Sequence, residues 1–203
     1  MRIDKDITFY EASTFISFVR KNLGHIRSNK ILNVYYTSLS GEMGYGQHET
    51  YMTDTPLIIE FEGFAVQIEY YFHSNMRLRI VDTEKFYNGE MTRYIIDYES
   101  MKKNPMPFDK ASISEFVENC TIKDIEIGRF SDEFITEPSS DSVRLEGGDY
   151  FFEISIVLEN DTKIFINAQD AESDGYMEYS IKDVHYRPEG PFGLKKYSYE
   201  VIE

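Results

Sequence analysis

Thirty-two residues, Val66 to Asp97, recur without a gap 86 positions later as Phe152 to Asp183, and no other feature constrains the architecture as much. Six positions are identical: Ile68/Ile154, Ile80/Ile166, Gly89/Gly175, Met91/Met177, Ile95/Ile181 and Asp97/Asp183. Apolar residues also keep phase, with Val66, Ile68, Tyr70 and Phe72 matching Phe152, Ile154, Ile156 and Leu158. Within each copy, apolar and polar residues alternate, the period of a strand with one buried face. Ser74-Asn75 and Asn160-Asp161 then supply turn residues before a second alternating run, so each copy predicts a β-hairpin. The recurrence therefore predicts one building block made twice.

Flanking segments extend the block. Phe15, Phe18, Val19 and Leu23 have the spacing of one helix face over Thr14 to Leu23, and Gly24 is the expected stop. The counterpart is Ser112 to Cys120, where Ile113, Phe116, Val117 and Cys120 form the stripe and Ser112-x-x-Glu115 reads as a capping box. Both stripes are expected in the core, and Cys120 as a small buried apolar residue. A strand follows each helix, Ile31 to Tyr36 and Ile122 to Ile127. Leu57 to Phe61 and Val143 to Leu145 lead through Gly63 and Gly147-Gly148 into the repeated hairpins. Met91 to Ile96 and Met177 to Val184 close the two units, and Tyr197 to Ile202 reads as an added edge strand that fills a sheet left open by the first unit.

The expected fold class is α+β and β-rich: two tandem units, each one helix followed by about five mostly antiparallel strands. The first repeat is assigned to residues 1–104 and the acidic second repeat to 105–203, either as separate domains or merged into one. Ser100 to Pro107 is the linker, polar and proline-bearing. A chain of 203 residues buries roughly 70% of its unfolded surface and needs no staple.

Charge is distributed unevenly. Residues 1–103 carry 12 basic and 14 acidic side chains, net −2, whereas residues 104–203 carry 9 and 22, net −13. A field of that sign opposes contact with nucleic acid or anionic lipid, whose phosphates require Lys and Arg. It favours encounter with a basic protein, although acidic surfaces also serve solubility alone. A lone cysteine excludes an intramolecular disulfide and a cysteine-built zinc site, which suits a reducing compartment. The opening residues mix charges where a secretory signal needs an apolar run, and no run is long enough for a membrane helix. The expected location is cytoplasmic.

Catalytic patterns are sparse. His25, His48, His73 and His185 are scattered, without the i, i+3 or i, i+4 partners of a helical metal site. Asp170-Ala-Glu172-Ser-Asp174-Gly175 begins like a calcium loop but has Ile181 where the bidentate Glu belongs, so a hairpin connection is the favoured reading. Gly41-x-x-Gly44-x-Gly46 lacks the Gly-Lys-Ser/Thr ending of a phosphate loop. No Gly-x-Ser-x-Gly elbow occurs. Glu60 and Glu62 are the nearest approach to an acid–base pair and have the look of ordinary solvated strand residues.

No cofactor, metal or catalytic residue is therefore expected, and the chain leans away from enzymes. The leading expectation is a protein-interaction module of inhibitor or immunity type, whose acidic second half meets a basic partner such as a nuclease or toxin. Asp132, Glu133, Glu137 and Asp141 are the expected contacts. Tyr45, His48 and Tyr51 join them from the polar loop Ser38 to Pro56, which is too long for a simple hairpin. The alternative is a small-ligand-binding protein, or an enzyme of unfamiliar type, with its site between the repeats.

Overall fold

The computed structural model describes residues 7–36, 42–45, 50–53, 57–72, 75–82, 109–130, 150–170, 175–181 and 197–202. In chain order these are β1 (Ile7–Phe9), α1 (Ala12–Arg27), β2 (Ile31–Tyr36), β3 (Met43–Tyr45), β4 (Thr50–Thr53), β5 (Leu57–Phe61), β6 (Phe64–Phe72) and β7 (Asn75–Asp82). They continue as β8 (Asp109–Lys110), α2 (Ser114–Val117), β9 (Ile122–Phe130), β10 (Tyr150–Leu158), β11 (Lys163–Asp170), β12 (Gly175–Ser180) and β13 (Tyr197–Val201). The fold is mixed α+β and strand-rich, as expected.

Two sheets form. The first has the order β1-β7-β6-β5-β2-β8 and the second β13-β9-β10-β11-β12-β4-β3. Every pairing between named strands is antiparallel. Their apolar faces meet: Ile59, Ile68, Leu78 and Ile80 of the first sheet share one core with Ile125, Ile127, Ile154, Ile156 and Ile166 of the second. Strand alternation produces this directly, since residues two apart share a face.

The hairpins β6–β7 and β10–β11 fall on the two copies of the sequence repeat, and each sits inside its own sheet. Beyond them the correspondence breaks down. Ile68 opposes Leu78, but its counterpart Ile154 opposes Ile166, a register two residues out of step, with a bulge at Tyr70/Phe72 in the first hairpin only. β5 lies between β2 and β6, whereas β9 pairs directly with β10. Val143 to Leu145, Met91 to Ile96, the linker and the 104/105 boundary lie outside the described residues.

The halves also exchange strands. β3 and β4, from the first half, extend the second sheet beyond β12, and β8 from the second half closes the first sheet against β2. Ser38 to Pro56, expected as a loop without strands, thus contains a short hairpin, with Gly44 opposite Tyr51. β13 pairs with β9 at the edge of the second sheet, not in the first unit where an open edge was expected.

α1 runs past Gly24 to Arg27, with Ser28 as its C-cap, because Ile26 is a further buried member of its core face. Thr14 Oγ1 donates to the Glu11 carbonyl at 2.8 Å near the start. α2 is much shorter than expected, only four residues. Ile113 and Val117 are fully buried, but Phe116 is 46% exposed, since so short a helix presents no continuous stripe. Cys120 is half-buried and accepts from Asn160 Nδ2 at 3.4 Å. The expected Ser112–Glu115 box does not form, because Ser112 is engaged elsewhere.

Candidate functional site

A polar cluster spanning both halves lies where the exchanged hairpin meets the start of α2. Two hydrogen bonds fix that start on β2: the Ala111 amide donates to the Val34 carbonyl at 2.8 Å, and the Val34 amide donates to the Ser114 hydroxyl oxygen at 3.0 Å. Further along, the Asn119 amide donates to the Ile31 carbonyl at 2.7 Å and the Ile31 amide to the Cys120 carbonyl at 3.0 Å. Residues 109–121 of the second half are thereby stitched along a strand of the first.

Against this fixed backbone sits Glu42. Its carboxylate accepts the Ser112 amide at 3.0 and 3.1 Å and also the Ser112 hydroxyl. On the other side it accepts the phenol of Tyr179, which lies in β12. Tyr179 has no exposed surface, and its ring stacks on that of its cross-strand partner Tyr51, with centroids 5.9 Å apart and planes at 28°. Aromatic cross-strand pairs of this kind add about 0.5–1.5 kcal/mol beyond the area they bury.

The electrostatics follow from that placement. Burial pushes the Tyr179 phenol far above its usual range, and the bond to Glu42 with its negative charge, then the neighbouring Tyr36 and Tyr51, push it the same way. Tyr179 therefore holds its proton and serves as a hydrogen-bond donor to Glu42. Glu42 receives donors from two sides of the molecule. The chemistry available is a clamp: one carboxylate joins the first long loop, the head of α2 and the second sheet.

The other acidic candidates are isolated from one another. Glu60 is buried and accepts Asn33 Nδ2 and the Tyr35 hydroxyl, each at 3.1 Å, while Glu62 is exposed in the turn after β5. The expected pair of solvated strand residues is thus not found: Glu60 is buried in β5, and Glu62 stands where the chain reverses into Gly63, which takes φ +84°. Among the described residues no three His, Cys, Asp or Glu side chains gather as a metal site. Asp170 pairs with Gly175 as β11 turns into β12, the hairpin reading of the calcium-like stretch.

Of the expected contact residues, Tyr51 is half-buried with its ring face on Tyr179, and Tyr45 lies in β3 with its backbone opposite Thr50. His48, Asp132, Glu133, Glu137 and Asp141 lie outside the described residues. Glu42 and Tyr179 carry no signal in the sequence, and Ser112 only that of a helix cap. Ser112 carried a local signal that pointed to the wrong partner, and nothing local marks a bond spanning 137 positions.

The chain matches no protein-family model, no curated protein and no solved structure with which it was compared. Among the described residues no helix is long and apolar enough to cross a membrane.

Proposed function

We propose that this chain is a cytoplasmic binding module of the inhibitor or immunity type, which holds a basic protein such as a nuclease or toxin against the acidic surface of its second half. The observation that carries the proposal is the charge balance, 22 acidic against 9 basic side chains over residues 104–203. Local pairing sharpens it. Each described lysine of that half is engaged by a carboxylate of the same half: Lys110 by Glu118, Lys123 by Asp161 and Lys163 by Glu126. Asp124 takes Arg27 from the first half. Asp109, Glu115 and Glu159 remain exposed.

Such a surface attracts a basic partner over a Debye length and occupies the sites where phosphates would bind. Asp132, Glu133, Glu137 and Asp141 are the proposed contacts, and Tyr45, His48 and Tyr51 supply aromatic area from the first loop. In this reading the repeat reflects a duplicated hairpin unit, of which the later copy carries the charge, and the two halves work as one merged domain.

The test is calorimetric titration with a lysine homopolymer and with a basic ribonuclease across a range of salt concentration. Affinity is expected to fall as salt rises. Asp132→Asn, Glu133→Gln, Glu137→Gln and Asp141→Asn combined are expected to weaken it by about 1–4 kcal/mol, from about 0.2–1 kcal/mol for each rim charge. Affinity indifferent to both salt and the fourfold variant would overturn the proposal.

A further inference from the structure

The shared core leaves a space unfilled. Between α1 and the two sheets lies a cavity of about 50 Å³, lined from the first half by Phe18, Val19, Val66 and Leu78 and from the second by Ile125 and Ile156, among others. Every lining side chain is apolar. A water needs two to four polar partners to reside in such a place, and this lining offers none, so it disfavours water. A dry gap costs its walls the dispersion contacts they would make with any atom that filled it.

We infer that this cavity is a binding site for a small uncharged apolar guest, of the size of a xenon atom or a short hydrocarbon. Size sets the upper limit. A void of about 150 Å³ with a similar Leu, Ile and Phe lining admits benzene, and this one has roughly a third of that volume. Chemistry sets the class: with no donor, acceptor or charge in the lining, any polar group on the guest would lose its water without compensation. Phe18 and Val66 are half-buried whereas Val19, Leu78, Ile125 and Ile156 are buried, so the way in runs past those two side chains. The pocket is independent of the acidic surface, and it belongs to neither half alone.

The test is methyl NMR of the whole protein under increasing xenon pressure. Saturable shifts are expected in the methyl groups of Val19, Val66, Leu78, Ile125 and Ile156. None is expected in Ile58 or Val81, which lie in a separate buried cluster. Filling the space with Val19→Ile and Val66→Leu is expected to abolish the shifts, whereas Leu78→Ala is expected to admit benzene, which the unaltered protein excludes. Unsaturable shifts in the unaltered protein, equal shifts in Ile58 and Val81, or shifts that persist in the filled variant would each overturn the inference. If Leu78→Ala does not fold, the xenon titrations of the other two proteins still decide.

Discussion

Replacing Tyr179 with Phe tests the clamp while leaving the ring stack on Tyr51 in place. The substitution deletes one hydroxyl, the donor to the Glu42 carboxylate. Hydrogen bonds to charged groups contribute about 1.5–3 kcal/mol, and because Glu42 is only half-buried, water reaches the freed oxygen, so the lower end of about 1.5–2 kcal/mol applies. In a chain of 203 residues each kcal/mol moves the melting midpoint by about 2–4 °C, so a fall of about 3–8 °C is expected. Glu42→Ala should cost more, about 2–4 kcal/mol, because it strands a buried phenol without an acceptor as well as releasing the exposed Ser112. In the double variant that stranding penalty disappears, so the two losses should not add, with a coupling of about 1–2 kcal/mol. Urea denaturation of the four proteins at constant m measures all three quantities. A Tyr179→Phe protein within about 0.5 kcal/mol of the original, or losses that simply add, would refute the clamp.

Three further outcomes follow from packing and burial. Gly24→Ala should stabilise by about 0.5–1 kcal/mol, since Gly24 lies inside α1 and an added Cβ meets nothing within 4 Å; a loss in thermal denaturation would count against the helix continuing there. Ile113→Ala should cost about 2–5 kcal/mol and Phe116→Ala less than about 1 kcal/mol, the reverse of what aromatic size alone suggests, and comparable losses in urea titration would mean Phe116 is in the core. Glu178→Gln should raise stability near neutral pH, with the gain fading toward pH about 4. Burial holds the Glu178 carboxyl above its usual range, so the folded state keeps its proton longer than the unfolded chain, and stability falls as rising pH removes that proton from the fold. Equal pH profiles for the two proteins would contradict this.

How much of this was legible follows from the range of each interaction. Alternation located β6 and β10, and Asn160-Asp161 marked the turn between β10 and β11, where Asp161 takes φ 62° and Asn160 Oδ1 accepts the Thr162 amide at 3.0 Å. Arg77 and Glu69 pair across the first hairpin, at 2.5 Å. These are local facts, set by residues a few positions apart. β1, β3, β4 and β8 went unseen because strands of two to four residues are too short to show a period; β1, β4 and β8 are held on the edges of the longer β7, β12 and β2, and β3 is held by β4. α1 outran Gly24 because a buried Ile26 outweighs the roughly 1 kcal/mol that a glycine costs in a helix.

The candidate site is harder to read than the fold for the same reason, and its position bears on how the loop and the acidic half act together. Glu42 belongs to the stretch that supplies Tyr45, His48 and Tyr51, yet both of its partners, Ser112 and Tyr179, belong to the second half. The hairpin that follows Glu42 is hydrogen-bonded to β12 as well, with Tyr51 opposite Tyr179. Two kinds of contact, a backbone ladder and a charged clamp, therefore hold the first loop on the half that carries the negative charge. Just beyond Ser112 stand the exposed Glu115 and the solvent-facing Phe116. Tyr51 and the segment after Ser112 cannot move apart without breaking bonds to a carboxylate, so in the proposed reading the clamp would hold the two in one arrangement before a partner arrives.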